Sequence, residues 1–211
     1  MTSEKELPMS ASPHFTPETS ALVLIDHQVG TLQPIRNITP DTIIRNAVLL
    51  GKAALAYKMP IVLTSSQEDH IQGPLHPALQ QALPDAYAAR VKRVGIVNAW
   101  TDPHFVKAIE KTGRRKLIMA AVTTDICLVF PAVSAVEAGY VVLAVMDACG
   151  TDTEIGEEMS RRRMERAGVW LTSTNTMVAE LVQDWSTPQG MVLVQAMTAV
   201  SPMLPVEWAQ A

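Results

Sequence analysis

Apolar positions along the chain fall into short solid runs separated by helical stripes. Ala21-Leu22-Val23-Leu24-Ile25 is unbroken and stops abruptly at Asp26. Its shortness and β-branched content predict a strand buried on both faces, as in a parallel sheet. Thr39-Pro40 then supplies an N-cap and a proline at the first helical position. Ile43, Ala47, Leu50 and Ala54 follow at helical spacing, widened by Ile44, Val48 and Leu55. Met59-Pro60 should end that helix.

The unit recurs. Ile61–Thr64 predicts a second strand, and Ser65–Pro77 a polar loop followed by a short helical stretch. Gly95-Ile96-Val97 is expected to be a short extended piece, and Asp102-Pro103 to open a helix reaching Thr112-Gly113. Leu117–Val122 predicts a third buried strand, leading into a helix stopped at Gly139. Tyr140–Met146 is a fourth strand, Glu154–Ala167 a charged surface helix, Val169–Leu171 a fifth strand and Asn175–Trp185 another helix. Solid strands alternating with helices predict an α/β fold: a three-layer, doubly wound, mostly parallel sheet with helices on both faces. Residues 1–20, with three prolines, read as an extended lead-in, 21–190 as one domain, and 191–211 as a C-terminal segment of either strand or helix.

Composition narrows the function. The 211 residues carry a net charge of −4, so no basic field invites nucleic acid. Apolar runs of about six residues are far short of the roughly 20 that span a bilayer, so no membrane partner is expected. Only Lys5 is basic before Arg36 and no apolar leader segment accompanies it, so a cytoplasmic location is expected. In that reducing setting the two cysteines, Cys127 and Cys149, read as free thiols.

In open parallel sheets the ligand crevice lies outside the carboxyl ends of the strands. Polar residues just past the strands are therefore the candidates: Asp26, His27 and Gln28, then Ser65–His70, then Thr123–Cys127, then Asp147. No G-x-G-x-x-G comes after the first strand, and there is no phosphate loop, H-E-x-x-H pair or G-x-S-x-G elbow. What remains is Val122-Thr123-Thr124-Asp125-Ile126-Cys127 between a strand and a helix. A helix N-terminus favours thiolate over thiol and offers N–H groups to an oxyanion. Pro131, four residues on, lacks the N–H that would bond the Cys127 carbonyl. Taken alone, a junction cysteine is more often simple packing, and an aspartate ending a strand is more often a cap. Cys149 reads as turn material.

Together, Ile25-Asp26-His27-Gln28, Val91-Lys92-Arg93 before Asn98-Ala99-Trp100, and Val122–Cys127 resemble the isochorismatase-like cysteine hydrolases, within them the YcaC-type branch. The likeness spans Ala21 to Trp185 and takes in Gly73-Pro74-Leu75 and Phe130-Pro131-Ala132. It implies an isochorismatase-like, Rossmann-like fold and a catalytic triad of Asp26, a basic residue and the nucleophile Cys127. The basic residue aligns with Arg93, with Lys92 as the alternative; consecutive residues of an extended segment face opposite ways, so one of them faces the thiol. It further implies a cis peptide at Val122–Thr123, an oxyanion hole from the Thr123 and Cys127 amides, and hydrolysis of an amide-type C–N bond of a small molecule. Gln28, Asn98 and Trp100 are weaker candidates for the substrate pocket. Relatives with a metal use D-x-H after the second strand; Ser66-Gln67-Glu68 stands there instead, so neither metal nor cofactor is expected, and His70 and His76 read as solvated loop residues. The resemblance also implies a homo-oligomer, up to an octamer, and the eleven methionines and apolar Val192–Leu204 suit a subunit interface. The alternative is a catalytically silent or non-hydrolytic oligomeric member that binds or builds.

Overall fold

A computed structural model describes residues 13–200. Strand β1 (Ser20–Ile25) lies between β2 (Ile61–Ser66) and β4 (Lys116–Ala121), and the sheet runs β3-β2-β1-β4-β5-β6 with every neighbour parallel. The outer strands are β3 (Val91–Arg93), β5 (Val141–Val145) and β6 (Trp170–Thr172). Central position explains composition: all six residues of β1 are buried, as are five of six in β4. A strand covered on both faces has no polar side to alternate.

The crossovers are α1 (Pro40–Ala56), α4 (Pro103–Lys111), α5 (Val129–Glu137) and α6 (Glu154–Arg166), with short α2 (Pro77–Ala82) and α3 (Pro84–Ala88) before β3. Helices α7 (Thr174–Val182) and α8 (Pro188–Val200) complete the chain. Contacts sort them into two sets, α1 with α2, α7 and α8, and α5 with α6, giving a helical layer on each face of the sheet. Local signals act where expected. The Thr39 side chain accepts from Thr42 N–H with Pro40 behind it, Asp102 caps α4 through His104 and Phe105 N–H, and Thr153 caps α6 through Gly156 N–H.

Four expectations change. The extended piece before Trp100 is Val91–Arg93, not Gly95–Val97, because Gly95 turns the chain at φ 104°. The end of the lead-in belongs to the core: Phe15 is fully buried. The rest of the lead-in, and 201–211, lie outside the described residues. The stretch from Pro188 is a helix, so α8 runs through the boundary placed at 190/191. His76 is not merely solvated, since its Nδ1 accepts from Ala78 N–H and caps α2.

Candidate active site

The carboxyl ends of β1, β2, β3 and β4 meet at one edge of the sheet, and the segments just past them build the site. Asp26 leaves β1 in the left-handed region at φ 56°, which aspartate tolerates better than most residues. The turn is held from its own sequence: Gln28 N–H donates to Asp26 O at 2.7 Å and Thr31 Oγ1 donates to the same oxygen at 2.6 Å. The Asp26 side chain is thereby delivered into the sheet edge, 3 % exposed.

Arg93 reaches it from β3, which pairs with β2 in the register Ser66 to Arg93. Its Nη2 lies 2.5 Å from both Asp26 oxygens, its Nε donates to Thr64 Oγ1 at 3.0 Å, and its Nη1 donates to Ile96 O at 2.9 Å. Lys92, one residue back, faces the other way. It pairs with Glu68 at 3.0 Å and its side chain is 62 % exposed. The structure therefore brings Arg93, not Lys92, to Asp26.

Beyond β4 the Val122–Thr123 peptide is cis, and Thr124–Leu128 forms a π-helical turn before α5. Leu128 N–H reaches back five residues to Thr123 O at 3.1 Å. The absent N–H of Pro131 accords with this widened turn. Cys127 sits inside the turn, half-buried, and near enough to Asp26 for each to shift the other's protonation. Burial, and then the Asp26 charge, push the Cys127 thiol well above the ordinary thiol range, while Arg93 pulls weakly the other way. This corrects the expectation that the surroundings favour a resting thiolate: desolvation outweighs the turn's N–H groups. Burial also raises the Asp26 carboxyl, against the opposing pull of Arg93. The Cys127 N–H, expected in an oxyanion hole, donates to Thr123 O at 2.9 Å.

The weaker pocket candidates hold loops together instead. Gln28 Nε2 donates to Ser66 O at 2.8 Å and to Gly73 O, while its Oε1 accepts from Ser66 N–H at 2.8 Å, so the amide is saturated. It pins the loop after β1 to the loop after β2, where Gly30 lies so close to Ile71 O that a Cβ would stand 1.9 Å from it. Asn98 caps a 3-10 turn at Ala99–Thr101 and reaches Ser134 on α5 at 3.0 Å. Trp100 makes edge contacts with Phe105 and Tyr140. None of the three is brought to the thiol by these contacts.

Glu68, the last residue of Ser66-Gln67-Glu68, is held by Arg90 at 2.6 and 2.9 Å as well as by Lys92, and Arg90 foremost lowers its carboxyl to about 2. One neighbour of the site has no role assigned from sequence. His27 is fully buried, donates through Nε2 to Ala148 O at 2.9 Å, and burial lowers it to about 4, so the ring is neutral. Its place beside Asp26 at the end of a solid apolar strand makes it a candidate, without a role. Cys149 is buried as well, accepting from Ala121 N–H at 3.3 Å and donating to Val145 O at 3.1 Å.

Comparison with known proteins identifies the family and the fold. The isochorismatase domain model matches residues 20–176. The chain belongs to the isochorismatase family. It is 40% identical over 166 residues to the probable hydrolase YcaC of Escherichia coli, covering 79% of each chain. The YcaC structure from Pseudomonas aeruginosa, solved with hexane-2,5-diol and covalent acrylamide, superposes with a TM-score of 0.84 at 33% identity over 90% of this chain and 94% of that one. The Escherichia coli YcaC structure, described as an octameric hydrolase of unknown specificity, gives 0.81 at 35% identity over 92% and 100%. These isochorismatase relatives include hydrolases, and the fold is the three-layer arrangement read from the alternating strands and helices. Among the described residues no helix is long and apolar enough to cross a membrane.

Proposed function

We propose that this isochorismatase-family protein is a cysteine hydrolase cleaving an amide-type C–N bond of a small molecule, with Cys127 as nucleophile, Asp26 as proton carrier and Arg93 as electrostatic anchor. One observation carries the reading: a half-buried thiol coupled to a carboxylate that is itself clamped by a buried guanidinium. A structural cysteine needs no such partner.

Because the thiol rests protonated, attack and deprotonation are coupled. The Cys127 sulfur bonds to the carbonyl carbon as its proton passes to Asp26. Arg93 keeps Asp26 ionised against the burial that raises it, and being permanently charged it moves no proton. The tetrahedral oxyanion is held by backbone N–H groups. With the Cys127 amide bonded to Thr123 O, the amide of Thr123, which acts on the Cys127 sulfur, is the first donor, and one such donor is worth roughly 3 kcal/mol of barrier. Collapse breaks the C–N bond, and the leaving amine takes the proton from Asp26. Water then attacks the thioester, gives a proton to Asp26, and the carboxylic acid leaves as the thiol is restored. That the Pseudomonas aeruginosa relative carries covalent acrylamide supports a reactive nucleophile in this fold.

We further propose a homo-oligomer of the octameric kind described for the Escherichia coli relative. Its interface is assigned to α8 and the adjoining end of α1, where Met191, Val192 and Leu55 are more than half exposed. The competing reading, a silent oligomeric member, draws on the same surface and on the raised thiol.

A panel of small amides and esters, with mass spectrometry of the trapped enzyme, decides between them. Turnover and a substrate-derived acyl mass on Cys127 support the hydrolase. Full turnover in Cys127→Ala overturns it, and so does an inert thiol in an intact octamer.

A further inference from the structure

The segments that follow β1, β2, β3 and β4 expose an apolar surface around the site. Six of the thirteen large apolar side chains exposed among the described residues stand on them: Val29, Ile71, Val94, Ile96, Val97 and Ile126. All six are aliphatic and β-branched. Single exposed aliphatics are ordinary, whereas a group of them around one crevice marks a surface that meets something apolar. Two are tied through the backbone to the reacting groups. Ile126 precedes Cys127 on the π-helical turn, and the Ile96 carbonyl accepts from Arg93 Nη1 at 2.9 Å. Val29 and Ile71 stand on the loops after β1 and β2, which Gly73 and Gly30 bring into contact with one another.

The cations of the same segments already have partners. Arg93 is buried against Asp26, Thr64 and Ile96 O, Arg90 and Lys92 are paired with Glu68, and Arg36 folds its Nη1 onto Gln33 O and Ile35 O. Asp69 and Asp125 form no ion pair among the described residues; they repel an anion, and Asp69, being exposed, gives a cation little. We propose that the site selects uncharged amides bearing an aliphatic group, with Ile96 and Ile126 as the specificity-determining residues that receive it; the inference rests on the hydrolase reading above. The alkyl group covers side chains that otherwise meet water, and each methylene fully buried in this way is worth about fourfold in binding. A substrate carboxylate would have to win a cation from the group that already holds it. An aromatic ring finds no ring to stack on, because Trp100 is turned to Phe105 and Tyr140.

The test alkylates Cys127 in the full-length protein with N-methyl-, N-butyl- and N-hexyl-iodoacetamide, and with the hexyl probe carrying a terminal carboxylate or amine, all at one alkaline pH. Rates come from intact mass and are divided by the rate of each probe with a free small thiol, so hydrolytic turnover is not required. The normalised rate should rise by about twofold per methylene, half-buried as it is on an open surface, and so by about thirtyfold from methyl to hexyl. Both charged probes should fall back to the methyl value or below. Ile126→Ser and Ile96→Ser should each cut the hexyl-to-methyl ratio by at least about threefold. If either fails to fold, Val97→Ser, on a side chain more than half exposed, must lower the ratio instead. A flat series with a reactive Cys127, a charged probe faster than the hexyl one, or a ratio untouched by these substitutions overturns the proposal and leaves the hydrolase reading standing. A Cys127 inert to every probe overturns both.

Discussion

Arg93 and Asp26, sixty-seven residues apart in sequence, form a buried pair in which one guanidinium nitrogen lies 2.5 Å from both carboxylate oxygens. Neither side chain has water to fall back on, at 1% and 3% exposure. Removing one partner strands a charge, at a typical cost of about 3–5 kcal/mol. Arg93→Ala should therefore lower the denaturant midpoint sharply. Lys92→Ala, which breaks an exposed pair, should change stability by no more than about 1 kcal/mol. Urea unfolding of the two variants checks the contrast, and equal losses would contradict the assignment of Arg93 as the inward residue.

Thiol titration gives a second expectation. With Cys127 raised by burial and by Asp26, iodoacetamide labelling should show no plateau through the ordinary thiol range and should still be climbing above it. Asp26→Asn removes the charge that opposes thiolate formation. It should label faster than wild type at high pH while losing turnover. A variant slower in both would mean that the carboxylate does not act on the sulfur as derived.

Cys127→Ala should lower any hydrolytic turnover by about three orders of magnitude or more, as loss of a nucleophile does elsewhere. Cys149 should label only after unfolding, since its sulfur is fully buried and hydrogen-bonded on both sides. Counting modified thiols by intact mass, native and denatured, tests this directly: one, then two.

Acid should destabilise the protein in two stages. His27 is lowered from 6.5 to about 4 in the fold, so its contribution is complete above pH 6.5 and is lost as pH falls toward 4. That loss amounts to ~3 kcal/mol. Glu68, lowered from 4.5 to about 2, contributes above pH 4.5 and loses that contribution on the way to 2. Asp26 works in the opposite sense, because a raised carboxyl favours folding as it protonates. Thermal melts across pH should lose the upper stage in His27→Gln and the lower one in Glu68→Gln.

Much of this architecture can be read from the chain because parallel sheets demand solid apolar strands, and Ala21–Ile25 and Leu117–Val122 are as plain as strands become. Caps at Thr39 and Asp102 mark helix starts for equally local reasons. The features that escape such reading are decided by distant contacts. Val91–Arg93 is too short to show a period, and becomes a strand only by pairing with β2. Gln28, Asn98 and Trp100 are polar or aromatic residues near the site in sequence, yet their side chains are turned to loop backbone, to Ser134 and to other rings. The electrostatic state of Cys127 is hidden for a similar reason. Position on a turn is local, whereas desolvation depends on everything packed above the sulfur.

The placement of β1 between strands that begin at residues 61 and 116 bears on how the chain is born. A ribosome emits β1 early, but its second neighbour emerges about ninety residues later, roughly 5–20 s at ordinary elongation speeds. Through that interval a strand apolar from Ala21 to Ile25 has a bare edge, the kind of ribbon on which nascent chains stick to one another. Chaperone demand during synthesis should therefore end when residue 121 leaves the exit tunnel.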